Sequence, residues 1–252
     1  MLTTFGGEGT WSIVTGASSG IGRAYALNLA SRGFHCILVA RRRDRLVALA
    51  THLEKKFKVQ THVVTTDLAD LRHDNVTALV TRMIEGGRVR ECGEDEILRR
   101  DVGLMVCNAG ISDVNWSLTD ESLSRTEAMV STNCTSLALL VHAMLPSLEA
   151  RMMHVQGDSD GGRGGGGEGE GGDGGEGGSK GTTSSVVSAV VTAGALNAAV
   201  PLASSSLSSG TKAFVRNFTL AVNETTCVEM ICGTILFVLA SIHFFSCSII
   251  FE

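Results

Sequence analysis

Residues 12–22 read Ser-Ile-Val-Thr-Gly-Ala-Ser-Ser-Gly-Ile-Gly, an apolar run that ends in a glycine-rich turn and leads into a helical pattern. Glycines at this spacing can cradle a phosphate. Gly16 permits a sharp turn, Gly20 lets a phosphate approach the main chain, and Gly22 lets the next helix pack close to the strand. Open N–H groups at the start of that helix, with its dipole, favour a pyrophosphate. An ordinary tight turn is the competing reading. A second apolar run, 34–40, ends in Arg41-Arg42-Arg43-Asp44. An acid at that strand end would bond ribose hydroxyls, as NAD requires; arginines there suit a ribose 2′-phosphate, so NADP(H) is favoured. The competing reading is a solvated basic start to the following helix.

The elements that must position these groups follow from the spacing of apolar residues. Ile21, Ala24, Tyr25 and Leu29 share one helical face, with Gly33 as a stop, so Tyr25, the chain's single tyrosine, reads as a packing residue. Leu46, Leu49, Leu53 and Phe57 give a second helix its inward stripe, and 59–66, 102–106 and 184–192 read as further strands. Alternating strands and helices predict an α/β fold, a doubly wound parallel sheet of the Rossmann type in one domain, with ligands at the C-terminal ends of the strands. The first strand starts so early that no leader or anchor is expected ahead of it. Residues 86–101 read as a charged, irregular insertion.

Four stretches follow from composition: 1–156 as the N-terminal part of the domain, 157–181 as a linker, 182–226 as its continuation, and 227–252 as a hydrophobic end. The linker holds fifteen glycines with six acids and two bases, too polar to build a core. It should join a helix to a strand at the sheet end away from the cofactor. Of the formal charge of −5, it carries −4, so the rest is nearly neutral and no basic stripe suggests nucleic acid. Seven cysteines lie scattered without CxxC pairs or metal spacing, which predicts reduced thiols and no metal site. Residues 231–251 carry no formal charge and are long enough to cross the roughly 30 Å hydrocarbon layer. They read as a tail anchor, with a degenerate sixth strand at 228–232 as the alternative.

The spacing Thr-Gly-x-x-x-Gly-x-Gly, at Thr15, Gly16, Gly20 and Gly22, resembles the cofactor turn of the short-chain dehydrogenase/reductase family. Residues 21–70 look most like its branch of 17β-hydroxysteroid dehydrogenases and very-long-chain 3-oxoacyl-CoA reductases, and the resemblance covers roughly 10–155 and 184–220. It implies that Thr15, Gly16, Ser18, Gly20, Ile21, Gly22, Arg41 and Arg42 hold NADP(H). Asp67 with Leu68 would meet the adenine, although Asp67 also suits a helix cap. Cys107-Asn108-Ala109-Gly110 resembles the family's Asn-Asn-Ala-Gly turn, with Cys107 for the first Asn, so Asn108, Ala109 and Gly110 would back the cofactor. Asn133 fits the helix Asn that holds a water in the proton relay, or else kinks or caps that helix.

The family's Tyr-x-x-x-Lys motif is where this chain departs. Lys212 matches in its Ser-Gly-Thr-Lys-Ala-Phe setting, but Ser208 stands in the tyrosine's place. In the family the tyrosine protonates the carbonyl oxygen, and the lysine lowers the phenol's pKa from about 10 and holds the nicotinamide ribose. A serine hydroxyl is far less acidic and shorter. The carbonyl-binding serine is also displaced, its place falling on Val191 or Ala195, with Thr192 and Ser188 as nearby substitutes.

The resemblance therefore implies an NADP(H)-dependent oxidoreductase that reduces a lipid ketone, a 3-oxoacyl-CoA or a steroid, with Lys212, Asn133, Ser208 and Thr192 as its catalytic remnant. The alternative is an inactive NADP(H)-binding or interaction protein; a third is a truncated product with an exposed sheet edge. Family members often pair as homodimers, and an anchored tail would place the domain on the cytosolic face of the endoplasmic reticulum membrane; otherwise it is cytoplasmic. The sheet is expected to be incomplete at its C-terminal edge.

Overall fold

β-branched and other apolar residues fill short runs that glycine turns break, and these runs become the strands of one parallel sheet. The structure is a computed structural model that describes residues 2–91, 94–112, 118–157, 187–199 and 205–233. In chain order the first elements are β1 (Trp11–Thr15), α1 (Gly20–Ser31), β2 (His35–Ala40), α2 (Arg43–Phe57), β3 (Thr61–Thr65) and α3 (Val76–Ile84). Then come β4 (Glu85–Glu91), β5 (Glu94–Arg99), β6 (Val102–Cys107), α4 (Leu123–Val130), α5 (Ser136–Gly157), β7 (Ala189–Ala193), α6 (Ser206–Asn223) and β8 (Glu229–Gly233). Six strands form the main sheet in the order β3-β2-β1-β6-β7-β8, all parallel.

Side chains alternate across this sheet and divide the core into two layers. Ile13, Ile37, Met105 and Val190 face α3, α5 and α6, whereas Val14, Leu38, Val106 and Val191 face α1 and α2. Tyr25 packs against the second layer, as its place on the α1 stripe requires.

Three expectations change. Residues 86–101 are not irregular: β4 and β5 pair as an antiparallel hairpin, with Arg88 opposite Ile97. The fifth strand begins at Ala189, and 184–186 lie outside the described residues, as does 158–181 of the linker. Glu229–Gly233 is a sixth strand paired to β7, so Ile231, Cys232 and Gly233 belong to the sheet and not to a membrane span; 234–251 lies outside the described residues. Among the described residues one helical run, Leu123–Met152, is long and apolar enough to cross a membrane, but Leu137, Leu140, Met144 and Leu148 within it are buried against the sheet.

α4 and α5 form that run with a π-turn, Ser131–Thr135, between them, where the Ser136 N–H reaches back to the Ser131 carbonyl. At the far end of α5, Arg151 binds Asp101 and the Phe5 carbonyl, and its Nη1 donates to the Val187 carbonyl at 3.3 Å. Arg151 of α5 and Val187 thus meet where β7 begins, opposite the strand ends that face the cleft described below.

Nearby, Trp11 meets His35 edge-on at 5.0 Å and the Arg100 guanidinium lies 5.0 Å over its ring. His35 Nδ1 accepts the Gln60 N–H at 3.1 Å, a bond that needs that nitrogen unprotonated. Burial lowers the His35 pKa below 6.5, and burial with the Arg100 charge lowers that of His62. A histidine whose folded-state pKa is depressed binds its proton more readily when unfolded, so its contribution is full above about pH 6.5 and shrinks on acidification. Melting temperature should therefore fall between pH 7 and pH 5, and less steeply in His35→Phe. A fall of equal steepness in both proteins would assign the acid sensitivity elsewhere.

Candidate functional site

The glycine turn leaves β1 and is tied to the end of β2, where the Val39 carbonyl accepts the N–H groups of Gly16 at 2.8 Å and Ala17 at 3.3 Å. Gly16 has φ +68° and Gly20 φ +56°, the left-handed region that favours glycine. A Cβ on Gly22 would lie 2.5 Å from both the Gly16 carbonyl oxygen and Asn108 Nδ2, so the helix packs on the turn as closely as the sequence implies. Ser19 precedes α1 but makes no capping bond. Its hydroxyl instead accepts from Arg42 Nη2 at 2.8 Å, and Ser18 Oγ accepts from the same nitrogen at 3.2 Å. The first-turn N–H groups of α1 thus have no side-chain cap from Ser19, the arrangement an anion needs.

A cleft of about 210 Å³ opens beside this turn, lined by Gly16, Ser18, Arg41, Arg42, Asp67 and Gly110 among others. Arg41 Nη1 lies 3.3 Å from Asp67 Oδ2, and the other Asp67 oxygen accepts the Ala69 N–H at 3.0 Å. Asp67 therefore caps the short turn 68–70 while lining the cleft. Two arginines at one end, a helix start at the floor and glycines where a side chain would intrude fit the phosphates of a dinucleotide.

Behind the cleft, Thr15 locks β1 to β6. Its Oγ1 donates to the Val106 carbonyl at 3.3 Å and accepts the N–H groups of Asn108 at 2.9 Å and Ala109 at 3.0 Å. Asn108 Nδ2 returns to the Thr15 carbonyl at 3.1 Å. These two residues shape the cleft floor through each other. Cys107 lies beneath them, and burial pushes its thiol up to about 12, so it is a neutral filler.

Asn133 sits in the π-turn with every polar atom engaged. Its Oδ1 accepts the Ile111 N–H at 2.8 Å, and its Nδ2 donates to the Ile111 carbonyl at 2.7 Å and to Thr211 Oγ1 at 3.0 Å. Its side chain braces the loop after β6 against α6. Lys212 reaches the same wall: a Cβ on Gly110 would lie 3.2 Å from Asn133 Oδ1 and 3.8 Å from Lys212 Nζ, which donates to the Ala193 carbonyl at 2.7 Å. Burial lowers the Lys212 pKa, with the Cys232 and Cys134 thiols acting in the opposite sense.

Two expected hydroxyls have other work. Thr192 is fully buried, and since Thr219 Oγ1 donates to the Val215 carbonyl, the Thr192 hydroxyl gives its proton to Thr219 at 2.8 Å, between sheet and α6. It is not offered to a carbonyl substrate. Ser208 is 4% exposed, with Asn197 Nδ2 donating to its oxygen at 3.4 Å, and it lines neither the cleft nor the small cavity beside Lys212. Thr211, which carries Asn133, went unread because one helical threonine has no motif to mark it.

The short chain dehydrogenase family model matches residues 10–158, and the matched stretch holds the glycine turn, both arginines, Asn108 and Asn133. The chain belongs to the short-chain dehydrogenase family. It is 32% identical over 152 residues to a very-long-chain 3-oxoacyl-CoA reductase of Podospora anserina, covering 60% of this chain and 41% of that protein. It is 31% identical over 144 residues to the inactive hydroxysteroid dehydrogenase-like protein 1 of Homo sapiens, covering 57% of this chain and 39% of that one. The chain thus spans about two fifths of these relatives. A solved short-chain dehydrogenase from Sphingobium yanoikuyae in complex with NADPH superposes with TM-score 0.61 and 26% identity, over 86% of this chain and 65% of that one. The parallel sheet with flanking helices is the architecture of that solved neighbour.

Proposed function

We propose that this family member binds NADP(H) in the cleft beside Gly16 and Arg42 and has lost efficient carbonyl reduction. One observation carries this reading: the phosphate cradle is complete, while the single phenol of the chain lies across the sheet from Lys212. Tyr25 packs in the α1 layer, its hydroxyl 3.8 Å from where a Cβ on Gly233 would stand, whereas Lys212 approaches from α6 on the other face. Bound NADPH supplies a hydride, but the alkoxide it would generate needs a proton from a group with a suitable pKa. Ser208 and Thr192 present none.

The competing reading, a working reductase of a lipid ketone, draws on Lys212 beside Gly110 and on the 3-oxoacyl-CoA reductase named above. Purified full-length protein with NADPH, long-chain 3-oxoacyl-CoAs and keto-steroids decides between them. Binding seen in NADPH fluorescence without oxidation supports the non-catalytic reading; turnover favours the reductase.

The cofactor assignment has its own test. Arg41→Ala and Arg42→Ala each remove a charged donor from the 2′-phosphate end; being exposed, each should weaken NADPH about tenfold, the lower end of 1.5–3 kcal/mol for such bonds. NADH affinity should stay unchanged. Equal losses for both cofactors would overturn the 2′-phosphate role.

A further inference from the structure

Thr132 carries a hydroxyl that the described fold leaves idle. It lies in the π-turn, 7% exposed, and its Oγ1 has no hydrogen-bond partner among the described residues. A helical serine or threonine commonly donates to the carbonyl four residues back. Ser136 does so, its Oγ donating to the Thr132 carbonyl at 2.6 Å, but Thr132 itself does not. A buried hydroxyl without a partner forfeits the hydrogen bonds it had with water, so its retention calls for an acceptor. Its oxygen is closed off from solvent in the unliganded chain, so a ligand reaches it as the Thr132 side chain turns toward the space that this residue lines. Thr132 lines both the cofactor cleft and the small cavity beside Lys212, as do Leu68 and Ala109. The turn 68–70 packs against the π-turn, and the Asp67 that caps it pairs with Arg41. Thr132 is therefore at the adenosine side of the cleft.

We infer that the Thr132 hydroxyl is a ligand contact, donating its proton to an acceptor on the adenosine half of the bound dinucleotide. The inference rests on the reading of the cleft as an NADP(H) site. The test is calorimetric titration of the full chain, as wild type, Thr132→Val and Thr132→Ser, with NADPH and with adenosine 2′,5′-bisphosphate, which carries only the adenosine half. Thr132→Val should bind both about tenfold more weakly, which is about 1.4 kcal/mol. Thr132→Ser should bind as wild type does. The melting temperature of unliganded Thr132→Val should not fall, since the valine removes an unpaired hydroxyl and keeps the shape; a structural role would lower it. Unchanged affinity in Thr132→Val overturns the contact alone. A loss confined to NADPH overturns its placement on the adenosine half. A wild-type protein that binds neither compound removes the cofactor reading and this inference with it.

Discussion

Gly20→Val is expected to abolish NADPH binding while leaving the protein folded. At φ +56° a β-branched residue is strained by about 1–2 kcal/mol, which should lower the melting temperature by only a few degrees. Apart from its chain neighbours and the backbone of its own helix, no described atom lies within 4 Å of a Cβ built there, so the surrounding fold has room for the valine. What lacks room is a phosphate drawn to the start of α1. Losing the pyrophosphate contacts should raise the dissociation constant by roughly a thousandfold, about 4 kcal/mol. Gly16 and Gly22 give no such separation: a Cβ on Gly16 meets Asn108 Nδ2 at 2.8 Å, and one on Gly22 meets the Gly16 carbonyl oxygen at 2.5 Å. Valine at either would damage the fold and the site together. Fluorescence titration and a melting curve on the same Gly20→Val preparation check the expectation, and wild-type affinity would remove the cofactor assignment.

The largest loss of stability is expected from Arg151→Met. The Arg151 side chain is 10% exposed and joins Asp101, the Phe5 and Val187 carbonyls and α5 at the entry to β6 and β7. Methionine keeps most of the stem's packing but leaves those carbonyls and the carboxylate without their donor. Removing one partner of a buried pair destabilises by about 3–5 kcal/mol. Asp101 is 51% exposed and can turn to water, so the lower end applies, about 3 kcal/mol and a melting point lower by roughly 10 °C. Because this knot lies at the strand ends away from the cleft, NADPH affinity of the folded variant should not change. A urea titration showing a loss below about 1 kcal/mol would mean that water replaces the guanidinium at little cost.

What could be read beforehand divides along physical lines. The glycine turn was legible because each position demands its residue type: a left-handed backbone at Gly16 and close packing at Gly22. Asp67 was read both as cap and as cleft residue, and the structure shows the cap directly. The β4–β5 hairpin was missed because charged residues at most of its positions leave no apolar alternation to announce a strand. β8 stood only as an alternative, since an apolar run that continues past a strand's length looks the same at its start as a membrane span. Thr192 drew notice as a hydroxyl near the expected site, but its partner Thr219 lies far along the chain, and nothing local says which way Thr192 points. Arg151 and Thr132 left no trace in pattern at all; their roles depend on partners that only the folded chain assembles.

The π-turn also constrains how this chain can change in length. It holds one residue more than α-helical geometry needs, so everything after Thr135 is rotated relative to α4 by about 100° from where an unbroken helix would put it. Leu140, Met144 and Leu148 after the turn join the core layer against the sheet, and Met129 before it is fully buried. Deleting a single residue between 131 and 135 would remove that surplus and let the helix run through with both flanks keeping their faces, at the cost of the turn that holds Asn133 against the Ile111 loop. An added residue there would instead turn α5 by about 100° relative to α4, whereas a length change in the exposed stretch before α4 shifts no such phase, so this helix should accept one residue fewer at its turn more readily than one more.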